Sequence, residues 1–192
     1  MNILVTGGLG FIGSHVCVEL LERNHTVVVV DNLHNSKTKV IGNINRITGR
    51  DIVFYECDIT DYDSLNRIFM NHNIDAVMHF AGYKSVAESI DFSMKYLFNN
   101  LYGTMNLCDV MRSCEVRKLI FSSSATIYGI PEKTPIDENH KLSAISVYGE
   151  SKLKAEKYFE ELINRDKNWD IVSLRYFNPV GAHHSSLIGE EP

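Results

Sequence analysis

A glycine-rich turn directly after the first apolar run restricts the fold of this chain more than any other feature. Residues 6–13 read TGGLGFIG, so Gly7, Gly10 and Gly13 are spaced three apart, and an amphipathic stretch begins at Phe11. This is the strand–turn–helix context that a phosphate-binding turn requires. Gly7 permits the tight turn, Gly10 lets main-chain amides approach a diphosphate, and Gly13 lets the helix pack closely on the strand. Together with the positive end of the helix dipole, the pattern predicts a dinucleotide site.

Short apolar runs and amphipathic stretches alternate along the rest of the chain. Strands are predicted at 3–6, 26–30, 52–55, 76–80, 119–122 and 171–174, and helices at 11–23, 63–71, 92–113 and 147–164. Because the apolar runs are nearly continuous, we expect burial on both faces of the strands. The alternation predicts an α/β fold with a doubly wound parallel sheet. The loop at 129–143 is expected to cover a site at the carboxyl edge of that sheet.

Two acidic residues follow predicted strands. Asp31 lies 18 residues after Gly13, where a carboxylate can accept hydrogen bonds from an adenosine ribose and repel a 2′-phosphate. Asn32 and His34 add no strong cation, so NAD is predicted rather than NADP; the alternative is a solvated acid at a strand end. Asp58 follows the third strand, where it could contact an adenine edge, and on spacing alone a simple turn acid is nearly as good an interpretation.

A tyrosine and a lysine four residues apart point to proton transfer. Tyr148 and Lys152 share one face of a predicted helix, and the fifth strand ends in a serine run, 122–124. Ser124, Tyr148 and Lys152 are therefore expected to meet at the carboxyl edge of the sheet. A phenol has a pKa near ~10, and a nearby ammonium and a positive nicotinamide ring would lower the pKa of Tyr148. The phenolate could then take a proton from a sugar or alcohol hydroxyl while hydride leaves the same carbon.

Composition and charge exclude several other classes of function. The formal net charge of −5 leaves no basic surplus for binding nucleic acid or anionic lipid. The four cysteines form no C-x-x-C pair, and the adjacent His183 and His184 have no supporting ligand spacing, so we predict free thiols and no metal site. No apolar run is long enough to span a membrane, and the N-terminus lacks a signal-peptide pattern. We expect a cytoplasmic protein with no membrane partner.

These residues and their neighbours carry a resemblance to a known family. The chain resembles the extended short-chain dehydrogenase/reductase family, and within it the nucleotide-sugar 4-epimerases. The resemblance extends over essentially the whole chain, and its motifs lie at 5–15, 31–33, 79–86, 122–129, 148–152 and 174–183. It implies a Rossmann-like NAD-binding domain, transient oxidation at the sugar C4, and UDP-glucose and UDP-galactose as substrates. We also expect a homodimer.

The resemblance assigns a role to each matching position. Tyr148 is the implied base, Lys152 binds the nicotinamide ribose and tunes Tyr148, and Ser124 assists proton transfer. The amides of Phe11 and Ile12 lie on the diphosphate, residues 31–36 hold the adenosine side, and Asp58 and Ile59 the adenine. The implied cofactor-binding set is Gly7, Gly10, Phe11, Ile12, Gly13, Asp31, Asn32, Asn35, Ser36, Asp58, Ile59, Phe80, Ala81, Gly82, Lys84, Asn99, Ser122, Tyr148, Lys152, Tyr176 and Phe177. The implied substrate-binding set is Lys84, Ser124, Tyr148, Phe177 and Asn178.

Two other functions remain as alternatives. A nucleotide-sugar 4,6-dehydratase, or another oxidoreductase of the extended family, would share the glycine turn and the Tyr–Lys pair. A dehydratase usually carries a carboxylate after the serine run, where this chain has Ala125 and Thr126. A non-catalytic NAD-binding module is the second alternative, but such a module would not need Tyr148 and Lys152.

The length of 192 residues allows one domain with a substantial core. The resemblance implies a chain nearly twice as long, so we expect a truncated product from which the C-terminal substrate domain is largely missing. On this view residues 1–178 form the NAD-binding domain with the catalytic residues. Residues 179–192 are expected to begin the truncated substrate-binding region, and turnover by the chain alone is expected to be poor.

Overall fold

One sheet of six parallel strands organises the chain, as seen in a computed structural model that describes residues 1–190. The strands are β1 (Asn2–Thr6), β2 (Thr26–Asp31), β3 (Val53–Glu56), β4 (Ala76–His79), β5 (Lys118–Ser124) and β6 (Asp170–Tyr176). Their order across the sheet is β3-β2-β1-β4-β5-β6, and every neighbouring pair is parallel. The predicted doubly wound parallel sheet is therefore confirmed, with all six strands within two residues of their predicted ends.

Within residues 1–190, seven α-helices connect the strands. They are α1 (Phe11–Glu22), α2 (Lys39–Thr48), α3 (Tyr62–Asn71), α4 (Val86–Asp91), α5 (Ser93–Tyr96), α6 (Gly103–Ser113) and α7 (Val147–Arg165). A π-helical turn, Leu97–Tyr102, joins α5 to α6, and a 3₁₀ helix, Ala125–Tyr128, follows β5. The sequence did not predict α2 or α4. The prediction of one regular helix over 92–113 was wrong because the π turn interrupts it.

Alternate residues of the central strands enter two separate cores, one on each face of the sheet. Leu4, Val28 and Val30 pack with residues of α3, α6 and α7 on one face. Val5 and Val29 pack with residues of α1 and α2 on the other. Full burial of such a side chain contributes about 1.5–3 kcal/mol, so a central strand held from both sides is a rigid base for a site at its carboxyl end.

The edge strand β6 departs from the predicted burial on both faces. It pairs with β5 alone, and Val172 and Leu174 on it are 48% and 37% exposed. An apolar run is therefore insufficient evidence for a central strand, because the run carries no information about which neighbours cover it.

The segments outside the regular elements follow the predictions in part. Residues 129–143 form a loop without helix or strand, as predicted, but none of them lines the main cavity described below. Within 179–190 the only β pairing that the structure describes is a single antiparallel bridge between Ala182 and Gly189. The remainder of the predicted 179–192 segment, residues 191 and 192, lies outside the described residues.

The state of the cysteines and the apolar character of the helices complete the description of the fold. All four cysteines are free thiols, with Cys17 and Cys108 buried and Cys57 and Cys114 half-buried. Over residues 1–190, no helix combines the length and apolar character needed to cross a membrane.

Candidate active site

A cavity of about 800 Å³ opens at the carboxyl ends of the strands. The order of strands reverses between β1 and β4, and a crevice forms in such sheets at the point of reversal. The cavity is lined by residues at or just beyond the ends of all six strands, among them Gly7, Asp31, Cys57, Phe80, Ser124 and Tyr176. A single site is therefore assembled from segments that are far apart in sequence.

The glycine turn has the shape that a close approach to phosphate requires. Gly7 has φ of 66°, and a Cβ there would lie 2.6 Å from the main-chain nitrogen of Ala81. A Cβ on Gly13 would lie 2.2 Å from the carbonyl oxygen of Gly7. Gly10 is the N-cap of α1, and the first turn of this helix has no acidic side chain that would occupy its amides or repel an anion. The turn fits a diphosphate on main-chain amides alone.

Asp31 is buried and already accepts three hydrogen bonds. Its Oδ2 accepts from the Leu9 amide at 3.1 Å, and its Oδ1 accepts from the Leu33 amide at 3.0 Å and from Ser36 Oγ at 2.7 Å. A carboxylate has about four acceptor positions, so one remains for a ribose hydroxyl. The carboxylate thus ties the glycine turn to the 33–36 loop while it lines the cavity.

Two lysines near Asp31 were missed by the sequence argument. Lys37 and Lys39 line the same cavity, at the start of α2. The prediction of NAD over NADP considered Asn32 and His34 but not these two lysines. The cavity wall therefore carries two cations as well as the Asp31 carboxylate.

Asp58 and Ile59 are adjacent in sequence but line different cavities. Ile59 lines the main cavity, whereas Asp58 lines a smaller one of about 200 Å³ that shares Tyr83 and Asn99 with it. Asp58 accepts hydrogen bonds from Asn32 Nδ2 at 2.8 Å and from both the amide and the hydroxyl of Thr60. These bonds hold the pKa of Asp58 below its ordinary value against the opposing effect of burial. The pattern agrees with the alternative of a turn acid.

The predicted trio of Ser124, Tyr148 and Lys152 comes together on the cavity wall. Ser146 is the N-cap of helix α7: its Oγ accepts a hydrogen bond from the Gly149 amide at 3.0 Å, and this cap fixes the position of Tyr148 in the first turn. One turn later, the Lys152 ammonium donates to the Ser122 carbonyl oxygen at 2.9 Å. It lies 6.0 Å from the centre of the Tyr148 ring.

The electrostatics of the pair differ from the prediction in one respect. Burial raises the pKa of Tyr148, and a hydrogen bond with Ser124 only partly opposes this effect. Burial also lowers the pKa of Lys152 to about 8. The prediction that groups within the protein lower the pKa of Tyr148 is therefore wrong. Desolvation of the phenolate raises this pKa by more than the hydrogen bond with Ser124 lowers it. The predicted contribution of a positive nicotinamide ring stays a prediction.

A buried asparagine, which the sequence argument missed, holds the loop after β4. Asn100 lies in the π turn, accepts a hydrogen bond from the Tyr83 amide at 2.8 Å and donates to the Tyr83 carbonyl at 2.9 Å. Its amide also donates to Ser151 Oγ on α7, between Tyr148 and Lys152. Asn100 thus connects the loop that carries Gly82 and Lys84 to the helix that carries the predicted base.

A second missed group lies behind the serine run. Ser123 donates a short hydrogen bond to Glu156. Arg175 donates to both carboxylate oxygens of Glu156, and the shortest of the Arg175 bonds is 2.7 Å. Arg175 also donates to the Tyr128 hydroxyl at 2.9 Å. This buried network joins β5, β6 and α7 directly beneath Ser124. Its members are far apart in sequence, so no local motif could identify it.

The structure gathers all but one of the predicted site residues around the main cavity, and Asp58 is the exception. Lys84 has a partner that was not predicted, since it forms an ion pair with Glu190. Among the described residues no group of three or more His, Cys, Asp or Glu side chains could hold a metal. The rings of His183 and His184 lie 4.1 Å apart and contact each other.

Comparison with known proteins identifies relatives along the whole chain. Residues 3–190 match the NAD dependent epimerase/dehydratase family. The chain is 49% identical over 192 residues to the UDP-glucose 4-epimerase of Bacillus subtilis, and 49% identical over 191 residues to that of Dictyostelium discoideum. These matches cover 100% of this chain but 57% and 56% of those proteins, so the chain spans a little over half the length of these curated relatives.

Solved structures give the same result. The fold is similar to a UDP-glucose-4-epimerase from Stenotrophomonas maltophila with bound NAD and formylated UDP-arabinopyranose, with a TM-score of 0.98 and 46% identity. It is equally similar to the Bifidobacterium longum UDP-glucose 4-epimerase in complex with NAD⁺ and UDP, with a TM-score of 0.98 and 45% identity. The matches cover 100% of this chain and 57% and 58% of those chains.

Proposed function

The chain belongs to the NAD dependent epimerase/dehydratase family, and we propose that it supplies the cofactor site and the catalytic base of a UDP-glucose 4-epimerase. The observation that carries this proposal is the convergence of the glycine turn, Asp31 and the Ser124–Tyr148–Lys152 trio on one cavity. The similar Bifidobacterium longum structure is in complex with NAD⁺ and UDP, which supports the same ligands here.

The cofactor would lie along the carboxyl edge of the sheet. The amides of Phe11 and Ile12 hold its diphosphate, Asp31 its adenosine ribose, and Lys152 its nicotinamide ribose. When bound, NAD⁺ supplies the hydride acceptor and later the hydride donor for one sugar carbon. Phe80, Tyr176 and Phe177 supply aromatic walls to the same cavity.

The proton chemistry belongs to Tyr148. Its phenolate takes the proton of the sugar 4-hydroxyl as hydride leaves C4, and the phenol returns a proton when hydride comes back to the opposite face. Because burial raises the pKa of Tyr148, the base form is scarce at neutral pH, and the charge of Lys152 is needed to favour it. Lys152, whose own pKa is about 8, is still mostly charged at pH 7. The reaction inverts C4 with no net redox change, so the cofactor must stay bound throughout the cycle.

The 4,6-dehydratase alternative has less support. Such an enzyme needs an acid to expel water beside the serine run, and Thr126 occupies that part of the cavity wall. Of the cavity-lining residues that the structure describes, the carboxylates are Asp31 and Glu190. Asp31 accepts hydrogen bonds at the adenosine end, and Glu190 pairs with Lys84. Neither is placed as a partner for Tyr148.

Two further parts of the proposal concern the domain boundary and the oligomeric state. We assign residues 1–178 to the cofactor-binding domain and place the beginning of the substrate-binding region at 179. The homodimer remains a prediction. Four exposed apolar side chains spaced four residues apart support it: Ile90, Met94, Phe98 and Tyr102.

One experiment tests the proposed function. The purified chain is incubated at high concentration with UDP-galactose and no added cofactor, and UDP-glucose is followed by NMR. We expect UDP-glucose to form with the unchanged chain and none to form with Tyr148→Phe. The exposed Tyr62→Phe is the matched control and should convert like the unchanged chain.

The outcomes separate the two parts of the proposal. NAD binding should be the same within about threefold in Tyr148→Phe, because the phenol holds little of the cofactor. A chain that fails to bind NAD would contradict the cofactor assignment. Conversion by Tyr148→Phe at the unchanged rate would mean that another group is the base.

A further inference from the structure

Residues 181–190, called the clasp below, form a closed hairpin. Ala182 pairs with Gly189, the His183 amide donates to the Ile188 carbonyl at 3.1 Å, and the Ser186 amide donates to the His183 carbonyl at 2.8 Å. Ser186 takes up φ of 60° at the turn. The clasp is therefore a defined piece of structure, although the sequence predicted only the start of a substrate region here.

One side of the clasp is anchored on α2. The side chain of Ile188 is 5% exposed and belongs to the core that α1 and α2 share, with Val40 and Ile41 packed against the same core. Next to it, Asn43 Nδ2 donates to the Leu187 carbonyl oxygen at 2.8 Å. Burial of an isoleucine is worth several-fold more than an exposed contact, so this anchor is strong.

The other side is joined to the loop after β4. Glu190 forms an ion pair with Lys84, and both side chains are about half exposed. Ion pairs as exposed as this one contribute little and are screened by salt. The clasp thus has a strong anchor at one end and a weak latch at the other.

The order of strands dictates what lies beneath the clasp. Helix α2 follows β2 and Lys84 follows β4, while β1 with its glycine turn lies between β2 and β4 in the sheet. A segment tied to both places must cross the glycine turn. In agreement, residues 186–190 and residues 10–14 line the same cavity.

We propose that the clasp retains the dinucleotide by closing over its diphosphate, with Ile188 as the anchor and Glu190 as the latch. The proposal rests on the proposed function and deepens it, because a cofactor that is oxidised and reduced in each cycle must not leave between the two steps. Opening breaks the exposed Lys84–Glu190 pair and shifts the clasp against the core in which Ile188 is buried. Ile188 and Glu190 are then positioning residues that act on the rates of cofactor entry and exit.

The test measures these two rates directly. NADH binding is followed by fluorescence in a stopped-flow instrument, and release is measured by displacement of bound NADH with excess NAD⁺. Ile188→Ala, the milder Ile188→Val, and Glu190→Gln are compared with the unchanged chain. The matched controls are Ile145→Ala, which alters an isoleucine that is 73% exposed, and Glu161→Gln, which alters an exposed carboxylate paired with Arg165.

If the clasp retains the cofactor, variants that loosen it should accelerate both the entry and the exit of NADH. We expect Ile188→Ala to raise both rates by about tenfold, with the dissociation constant changed by less than about threefold. Glu190→Gln should raise both by about two- to fivefold, the most that an exposed ion pair contributes. High salt should accelerate release from the unchanged chain but not from Glu190→Gln. The control variants should match the unchanged chain.

Three results would overturn the proposal. Unchanged rates in Ile188→Val and Glu190→Gln, with both variants folded by thermal unfolding, would remove the role of the clasp. Faster release with an unchanged entry rate would identify a simple ligand contact or a damaged site instead. An unchanged chain that does not bind NADH would contradict the proposed function as well, so the two failures are distinguishable.

Discussion

The buried ammonium of Lys152 donates a hydrogen bond to the main-chain carbonyl oxygen of Ser122 at 2.9 Å, and so joins helix α7 to the end of β5. It also lies 4.7 Å from the centre of the Phe121 ring. One carbonyl and one aromatic face replace the water that a free lysine would have. The charge is therefore held at a cost to folding, and burial lowers the pKa of Lys152 to about 8.

Lys152→Met should stabilise the fold and weaken the site. The unfolded chain holds its Lys152 proton up to about pH 10.4, whereas the folded chain loses it near pH 8, so the folding cost of the charge is full below pH 8 and fades above it. The variant's gain in Tm is expected to be largest below pH 8 and to shrink towards pH 10.4. Thermal unfolding of both proteins at several pH values measures the difference. A gain that is independent of pH would contradict the role of the charge.

Asp31→Asn should reduce the discrimination between the two dinucleotides. The change removes the negative charge that repels a 2′-phosphate and leaves Lys37 and Lys39 in the cavity wall. We expect the ratio of NAD to NADP affinity to fall by about tenfold, a change of about 1.4 kcal/mol. Titration calorimetry with each cofactor measures it, with the exposed Asp51→Asn as control. Equal affinities in the unchanged chain would already contradict the role given to Asp31.

Two glycine-to-alanine changes should have opposite effects. In Gly13→Ala the new methyl group would lie 2.2 Å from the Gly7 carbonyl oxygen, and a main-chain atom cannot easily move away. We expect loss of cofactor binding or of the fold. In Gly42→Ala nothing lies within 4 Å of the new methyl group on α2. That variant should be stabilised by up to about 1 kcal/mol, because alanine favours a helix. Denaturant unfolding and NADH binding distinguish the two.

Removing one partner of the Glu156–Arg175 pair should lower the free energy of unfolding strongly, whereas removing both charges should lower it much less. Arg175→Met leaves a buried carboxylate without its cation, so we expect a loss of about 3–5 kcal/mol in the free energy of unfolding. Glu156→Gln in the same chain should recover much of it by removing the orphaned charge. The exposed Arg165→Met, which breaks the pair with Glu161, should cost less than about 1 kcal/mol. Additive losses in the double variant would contradict this account.

Local pattern was sufficient for the strands and for the glycine turn. β1 and β2 are nearly uniform apolar runs, and the spacing of Gly7, Gly10 and Gly13 allows few other structures. Helix α2 was missed although Val40, Ile41, Ile44 and Ile47 have helical spacing, because asparagines, a glycine and β-branched residues lower the helix propensity of the stretch.

What the sequence could not supply is contact between distant segments. Asn100, Glu156 and Arg175 matter because of the partners that the fold brings to them; the first two lie in no motif, and the motif at 174–183 gave Arg175 no role. The pKa of Tyr148 depends on its burial, which spacing cannot reveal. The clasp likewise acquires its place only through the burial of Ile188 against α1 and α2.

The π turn at 97–102 makes the long helix sensitive to its length. A π turn holds one residue more than an α turn, so α5 and α6 are out of step by about 100°. Inserting one further residue there in regular α geometry would rotate everything before the insertion by that angle relative to α6. Asn100 could then no longer reach Tyr83, although no side chain had been substituted. This stretch should therefore tolerate changes of residue type much better than changes in the number of residues.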